Sequence, residues 1–396
     1  MDAHYDELFK HHNADNTFTG KRMRKPVPRK AVDSSSAAAL RMIWKFRRGE
    51  DAPGSLASLR PHSDAFKFMH PVSSFARYCS AGVMLRYVHT CTNKERVPIY
   101  SVTYTPDARR IFTGTYQGEI TLWNGVQFNF ETILTAHSAV IHTLTWSKDG
   151  VFLISGDGRG EIRYWLSNMN NLKKLQPHSE TIRDISVSHN NTKLITASTD
   201  KTMKVVDFST TNVELVLEGH NADVHSAQWH NRFSLILSSS KDGTVRLWDP
   251  RSGNGDLFTS SQHRNVVNGA KWNPHNELSF ASIGADGLAF SYDIRQLRTT
   301  KMTFRKLKKE FSSLQFHPII PNYFVTGGSD GTLMHWDLTR SEPLHVIEKA
   351  HDNVIRSMAF HPMGNVLVTG ANDHHTKIWA HNLPEHLLPK DQESSM

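Results

Sequence analysis

The sequence predicts an all-β fold built from seven like units, and three observations predict it. A bulky apolar slot, filled by Trp123, Trp165, Val206, Trp248, Tyr292, Trp336 and Trp379, recurs every 41 to 44 residues, a period that marks a repeat array. Six residues before the slot stand Asp200, Asp242, Asp286, Asp330 and Asp373, with Gln117 and Arg159 in the first two units. Twenty-eight or 29 residues before it stand His137, His178, His220, His263 and His351. The 396-residue chain is 38% hydrophobic and 10% aromatic, enough for one large β domain with its own core.

The clearest unit opens on Gly219-His220, continues through Val224 to Trp229 and Leu235 to Ser240, and ends on Asp242-Gly-Thr-Val-Arg-Leu-Trp-Asp249. These are three runs of strand-like alternation broken by turn residues, with a fourth leading into the next unit. The unit resembles the WD repeat, one blade of a β-propeller, and seven copies cover residues 97–380. The expected fold is therefore an all-β, seven-bladed WD-repeat β-propeller with an N-terminal basic arm and a short helix. A recurring His and Asp can be misread as catalytic dyads. Their repetition suits a buried polar network instead, in which the loop His and turn Asp satisfy each other and Trp adds area and an N–H donor. The sixth unit has Leu307 where His is expected, amid Lys306, Lys308 and Lys309, so its network should be weaker.

A ring must close to remove its strand edges. The last unit meets Pro384 and Pro389 soon after Trp379 and has no fourth strand of its own. Arg86-Tyr-Val-His-Thr-Cys-Thr92 is the expected donor, so that the two ends of the propeller share one blade. The resulting domains are residues 1–49 for the arm and helix, 50–84 for a linker, 85–380 for the propeller and 381–396 for a tail.

The formal charge of +8 is concentrated in the arm. Ten Lys or Arg against the single acid Asp33 give residues 21–48 a net +9, leaving the remainder near −1. Such asymmetry points to an attached arm that meets nucleic acid, an import receptor or an acidic protein surface. Pro26 and Pro28 fix φ and remove two donors, so residues 21–30 should be extended. After Asp33-Ser-Ser-Ser, the residues Leu40, Ile43, Trp44 and Arg47 fall at helical spacing, which predicts a short amphipathic helix that offers Leu40, Ile43 and Trp44 to a partner.

Other classes are poorly supported. Two cysteines, Cys79 and Cys91, cannot build a Cys-rich zinc site or a secreted multi-disulfide scaffold. The start lacks a secretory pattern and no stretch approaches the length of a membrane span, so the chain reads as soluble and intracellular, without a membrane partner. No phosphate-cradling loop, nucleophile elbow or metal-ligand cluster stands out from the repeat. The expected protein is therefore not an enzyme and has no cofactor, and its 24 histidines read as blade and surface residues.

Several strings are more specific than the blade itself. Phe18-Thr-Gly-Lys-Arg-Met-Arg-Lys25, then Arg29-Lys30, precedes the propeller; Trp123-Asn-Gly-Val-Gln-Phe-Asn-Phe-Glu-Thr-Ile-Leu134, Tyr164-Trp-Leu-Ser-Asn-Met-Asn-Asn171 and Gly219-His-Asn-Ala-Asp-Val224 follow in order. Together they resemble the WD-repeat subunits of the cleavage and polyadenylation specificity factor, which act at messenger RNA 3′ ends. The resemblance implies a nuclear scaffold that sits on a large multi-propeller subunit beside a zinc-finger subunit. It also implies that the chain helps to read the A-rich polyadenylation signal as single-stranded RNA. By motif match, base stacking falls on Phe18 and Phe128 and backbone contact on Lys21, Arg22, Arg24, Lys25 and Arg29. Aromatic platforms and cationic funnels are what grip a single strand. Phe130, two residues on from Phe128, is the alternative ring of that segment. Lys21 to Lys30 also reads as a nuclear localisation signal.

A second reading is a substrate receptor of a cullin-type ubiquitin ligase. Its mark is Trp-Asp-x-Arg at the ends of consecutive repeats, approximated here by Trp248-Asp-Pro-Arg251 and Tyr292-Asp-Ile-Arg295. That reading leaves the basic arm without a role.

Overall fold

The computed structural model describes residues 79–381, apart from 94, 254, 298 and 306–308. The expected arm, with Phe18, Lys21, Arg22, Arg24, Lys25 and Arg29, lies outside the described residues, as do the expected helix with Leu40, Ile43 and Trp44 and residues 382–396.

Numbered in chain order, strands β1 to β28 form seven four-stranded antiparallel sheets. The first strand of each sheet hydrogen-bonds within its own blade and packs on the neighbouring blade. These inner strands are β2 (Ile99–Tyr104), β6 (Ile141–Trp146), β10 (Ile182–Val187), β14 (Val224–Trp229), β18 (Val267–Trp272), β22 (Phe311–Phe316) and β26 (Ile355–Phe360). Hydrogen bonds also tie neighbouring inner strands together. Ser357 Oγ accepts from Val102 N at 3.1 Å, and Ser186 Oγ accepts from Trp229 N at 3.0 Å.

The second strand of a blade is covered on both faces, which explains its small and β-branched composition. In β27 (Val366–Ala371) every residue is buried. A Cβ at Gly370 would lie 2.5 Å from Val102 Cγ2 and 2.8 Å from Ile99 Cγ2, so glycine lets the last blade close on the first. The core is correspondingly divided into seven apolar clusters.

The ring closes through β1 (Arg86–Thr92), which pairs antiparallel with β28 (His375–Ala380) and completes the seventh sheet. Val88 and Cys91 of β1 share one cluster with Ile99 and Val102 of the first blade and Val368 and Ile378 of the last. The domain begins earlier than the linker boundary of residue 84 implies: Cys79–Gly82 forms a 3-10 turn, and Met84 is fully buried beside Tyr323. Among the described residues, no helix is long and apolar enough to cross a membrane.

Candidate nucleic-acid interface

The recurring His, Asp and Trp form hydrogen-bonded chains inside the blades. In the fourth, Trp248 Nε1 donates to Ser238 Oγ at 2.8 Å, Ser238 lies 2.7 Å from His220 Nε2, and His220 Nδ1 lies 3.0 Å from Asp242. Each group is satisfied if the hydroxyl accepts from Trp and donates to His while the other ring nitrogen donates to Asp. The last blade repeats this with Trp379, Thr369, His351 and Asp373. Both ring nitrogens are engaged and the rings are buried, so these are structural pairs with no reactive edge.

The second blade departs from the sequence register. Arg159 holds the Asp slot, but His137 approaches Asp157, two residues earlier, at 3.3 Å. In the sixth blade Trp336 Nε1 still donates to Thr326, at 2.8 Å, and Lys309 forms the ion pair with Asp330.

The only residue of the expected RNA-binding set among the described residues is Phe128, and its position corrects the expectation. Its ring is 2% exposed, in the cluster that joins the first and last blades. His89 of the closing strand stacks beside it with centroids 6.4 Å apart. Cys91 Sγ approaches its carbonyl oxygen at 3.6 Å, and burial pushes that thiol up to about 12, so it is a neutral donor. A ring held in this way has no face to offer a base. Phe130, by contrast, is 55% exposed and rests edge-on against Trp123 with centroids 5.8 Å apart.

The cause is the turn. Reading both phenylalanines in one strand puts residues two apart on the same face, but the outer strand β5 (Phe130–Thr135) begins only at Phe130. Phe128 lies in the preceding loop with φ +59°, its N–H donating to Asn124 O at 2.9 Å, while Asn124 Oδ1 accepts from Val126 N and Gln127 N. This is a turn followed by a left-handed residue, the usual three-to-five-residue hairpin connection. Met169 and Thr211 adopt positive φ at the matching place in the next two blades. A bulky residue in that region costs about 1–2 kcal/mol, which burial of a phenyl ring offsets.

Beside the same hairpin, a groove of about 670 Å³ is lined by residues of the first and second blades, Arg109, Arg110, Gln127, Glu131 and Trp146 among them. Sequence spacing does not reveal it, because its wall is assembled from turns of two different blades. Its cations are already engaged: Arg110 pairs with Glu131 at 2.7 Å and Arg109 with Asp107 at 3.9 Å. The two Asp-x-Arg motifs are local forks. Arg251 closes on Asp249 and Arg295 on Asp293, each through two hydrogen bonds of 2.8–3.1 Å from its guanidinium. Among the described residues, no group of three or more His, Cys, Asp or Glu is placed to hold a metal ion.

Comparison with known proteins matches residues 178–389 to the profile of the nucleolar protein 10-like N-terminal domain, a β-propeller, and residues 85–124 and 128–165 to the WD domain, G-beta repeat. A protein of Gibberella zeae named polyadenylation factor subunit 2 is 32% identical over 93% of this chain and 64% of its own length. Its namesake in Neurospora crassa is 37% identical over 76% of this chain and 49% of the relative. That in Saccharomyces cerevisiae is 32% identical over 76% and 64%. The chain thus spans about half to two thirds of the length of these relatives.

Proposed function

Because this chain belongs to a family of WD-repeat β-propellers and is similar to proteins named polyadenylation factor subunit 2, we propose that it is a non-catalytic, nuclear subunit of the pre-mRNA cleavage and polyadenylation machinery that helps hold the A-rich polyadenylation signal as single-stranded RNA. Likeness to relatives of that name over 93% of the chain carries the reading. In it, Phe18 and the exposed Phe130 supply stacking faces, while Lys21, Arg22, Arg24, Lys25 and Arg29 hold the RNA backbone. Leu40, Ile43 and Trp44 dock on a large multi-propeller scaffold, beside a zinc-finger RNA-binding subunit. The propeller contributes a rigid hairpin that fixes where the Phe130 ring stands. Its His–Asp pairs are consumed by the fold, which fits a subunit that positions RNA for other proteins to cut and extend.

The test is purification of the tagged chain from nuclease-treated nuclear extract, with mass spectrometry of what accompanies it. Recovery of a multi-propeller scaffold, a zinc-finger RNA binder and a poly(A) polymerase is the expected result. Recovery of a cullin and its adaptor without those proteins would overturn the reading and turn attention to Arg251 and Arg295.

A further inference from the structure

One residue of every inner strand drops out of the strand pairing. In the first blade Ile99 pairs with Thr115 and Ser101 with Gly114, so Tyr100 is bulged. The same shift isolates His142, Arg183, His225, Asn268, Ser312 and Arg356 in the other six blades. A bulge re-aims a side chain, and seven bulges at one level of a ring re-aim seven side chains around the mouth of its central channel.

Asn268 and Ser312 hydrogen-bond to the backbone of the next blade. Asn268 Nδ2 donates to Phe311 O at 2.5 Å, and Ser312 Oγ donates to Ile355 O at 2.7 Å. The other five face one another. Tyr100 meets the edge of His142 with centroids 5.0 Å apart, and the Arg356 guanidinium lies 5.2 Å from the Tyr100 ring centre. Burial, and then the charge of Arg356, lower the Arg183 guanidinium from its ordinary value, and both arginines act on His142. The Arg183 Nε is buried without a hydrogen-bond partner among the described residues, Arg356 Nε donates to Asn372 Oδ1 at 3.1 Å, and neither guanidinium forms an ion pair among the described residues.

The acids nearby are committed. Asp223, the carboxylate that acts on Arg183 and His225, lies 3.5 Å from Lys241 Nζ. Asp157 accepts from the amides of Arg159 and Glu161 and faces His137. Asp184, next to Arg183 in sequence, is turned into the channel wall, where it accepts from the Ile185 and Ala227 amides and is balanced by Lys271. Burial followed by the arginine charge holds His142 at about 3 and His225 at about 4, so both are neutral donors at physiological pH.

We propose that this channel mouth is a binding site for a small, multiply charged oxyanion of the phosphate class, held by Arg183 and Arg356 from opposite sides and capped by His142 and His225. Two like charges brought together in a partly dry mouth, with no carboxylate in ion-pair reach among the described residues and only Asp223, already paired with Lys241, acting on Arg183, are short of counter-charge, and planar guanidinium groups match oxyanion geometry. The site is separate from the hairpin that carries Phe130 and does not depend on the RNA-binding reading.

The experiment is calorimetric titration of the full chain with pyrophosphate and with inorganic phosphate, for the natural sequence, Arg183→Gln, Arg356→Gln and the double variant. Arg232→Gln, which removes a cation from the Arg232–Glu277 pair elsewhere, is the control. Saturable one-site binding is expected, tighter for pyrophosphate, weakened about tenfold or more by each single change and lost in the double. The control should bind like the natural protein. Absence of saturable binding, or unchanged affinity in the double variant, would overturn the site and place any anion on the basic arm. If the double variant does not fold, Arg356→Gln alone decides, because its side chain is exposed at the mouth and unchanged affinity there has the same meaning.

Discussion

Two phenylalanines separated by one residue have opposite fates, and the difference lies in a single backbone angle. With φ at +59°, Phe128 turns inward and pins the first hairpin to the closing strand, while Phe130 begins a strand and keeps its ring at the surface. The substitutions should therefore separate. Phe128→Ala empties a site in the cluster shared by the first and last blades and is expected to cost about 3–5 kcal/mol of stability, read as a fall in the denaturation midpoint. Phe130→Ala should leave that midpoint within about 0.5 kcal/mol of the natural protein but weaken RNA binding by the assembled complex by about 1–3 kcal/mol, the usual worth of one stacked base. If Phe130→Ala bound RNA normally, the stacking role would have to be withdrawn from this hairpin.

At the scale of the element, each blade carries its own version of one polar network, and the versions predict different sensitivities. Thr369 serves two side-chain partners, Trp379 and His351, besides the Lys377 carbonyl, whereas Thr326 serves Trp336 and has no histidine partner among the described residues. Thr196 receives His178, with Val206 in the aromatic slot. Replacing these buried hydroxyls by the isosteric valine strands one or two polar groups. Thr369→Val is expected to cost about 2–4 kcal/mol, against about 1–2 for Thr326→Val and Thr196→Val, as compared by denaturant titration. Equal costs would mean that the hydroxyl–histidine bonds contribute little.

The same networks show what a sequence reveals. The period, the Trp slot and the His are legible because each answers to a fixed place in a repeated sheet. The acid opposite His137 is not, since Asp157 reaches it from two residues before the recurring Asp position, which Arg159 holds. Phe128 was hidden because alternation describes strands, and a left-handed residue in a turn breaks it. The bulged ring was hidden too, because a bulge leaves no mark in the spacing.

Over the whole molecule, positive charge is densest in the arm and spread thinly over the much longer propeller, and the propeller's own pH response comes from buried histidines. Burial lowers His335 to about 3 and His361 to about 4, against about 6.5 when exposed in the unfolded chain. Below that value the unfolded chain takes up protons that the fold refuses, so stability must rise with pH across this window and fall on acidification. Each such histidine contributes a slope of up to about 1.4 kcal/mol per pH unit between its two values. The blade carboxylates extend the effect to lower pH. Burial by itself would raise Asp373, but its bond from His351 outweighs this and leaves it at about 2. Its contribution, complete above about 4, is lost as pH falls toward 2. Calorimetric melting should therefore be nearly flat from pH 7 to 8, decline from about pH 6.5, and steepen below about pH 4. His335→Gln should flatten the upper part of the decline while leaving the carboxylate part intact. A natural protein whose melting temperature did not change between pH 7 and pH 5 would show that these histidines are not held neutral, and with that the packing of the sixth and seventh blades around them would be wrong.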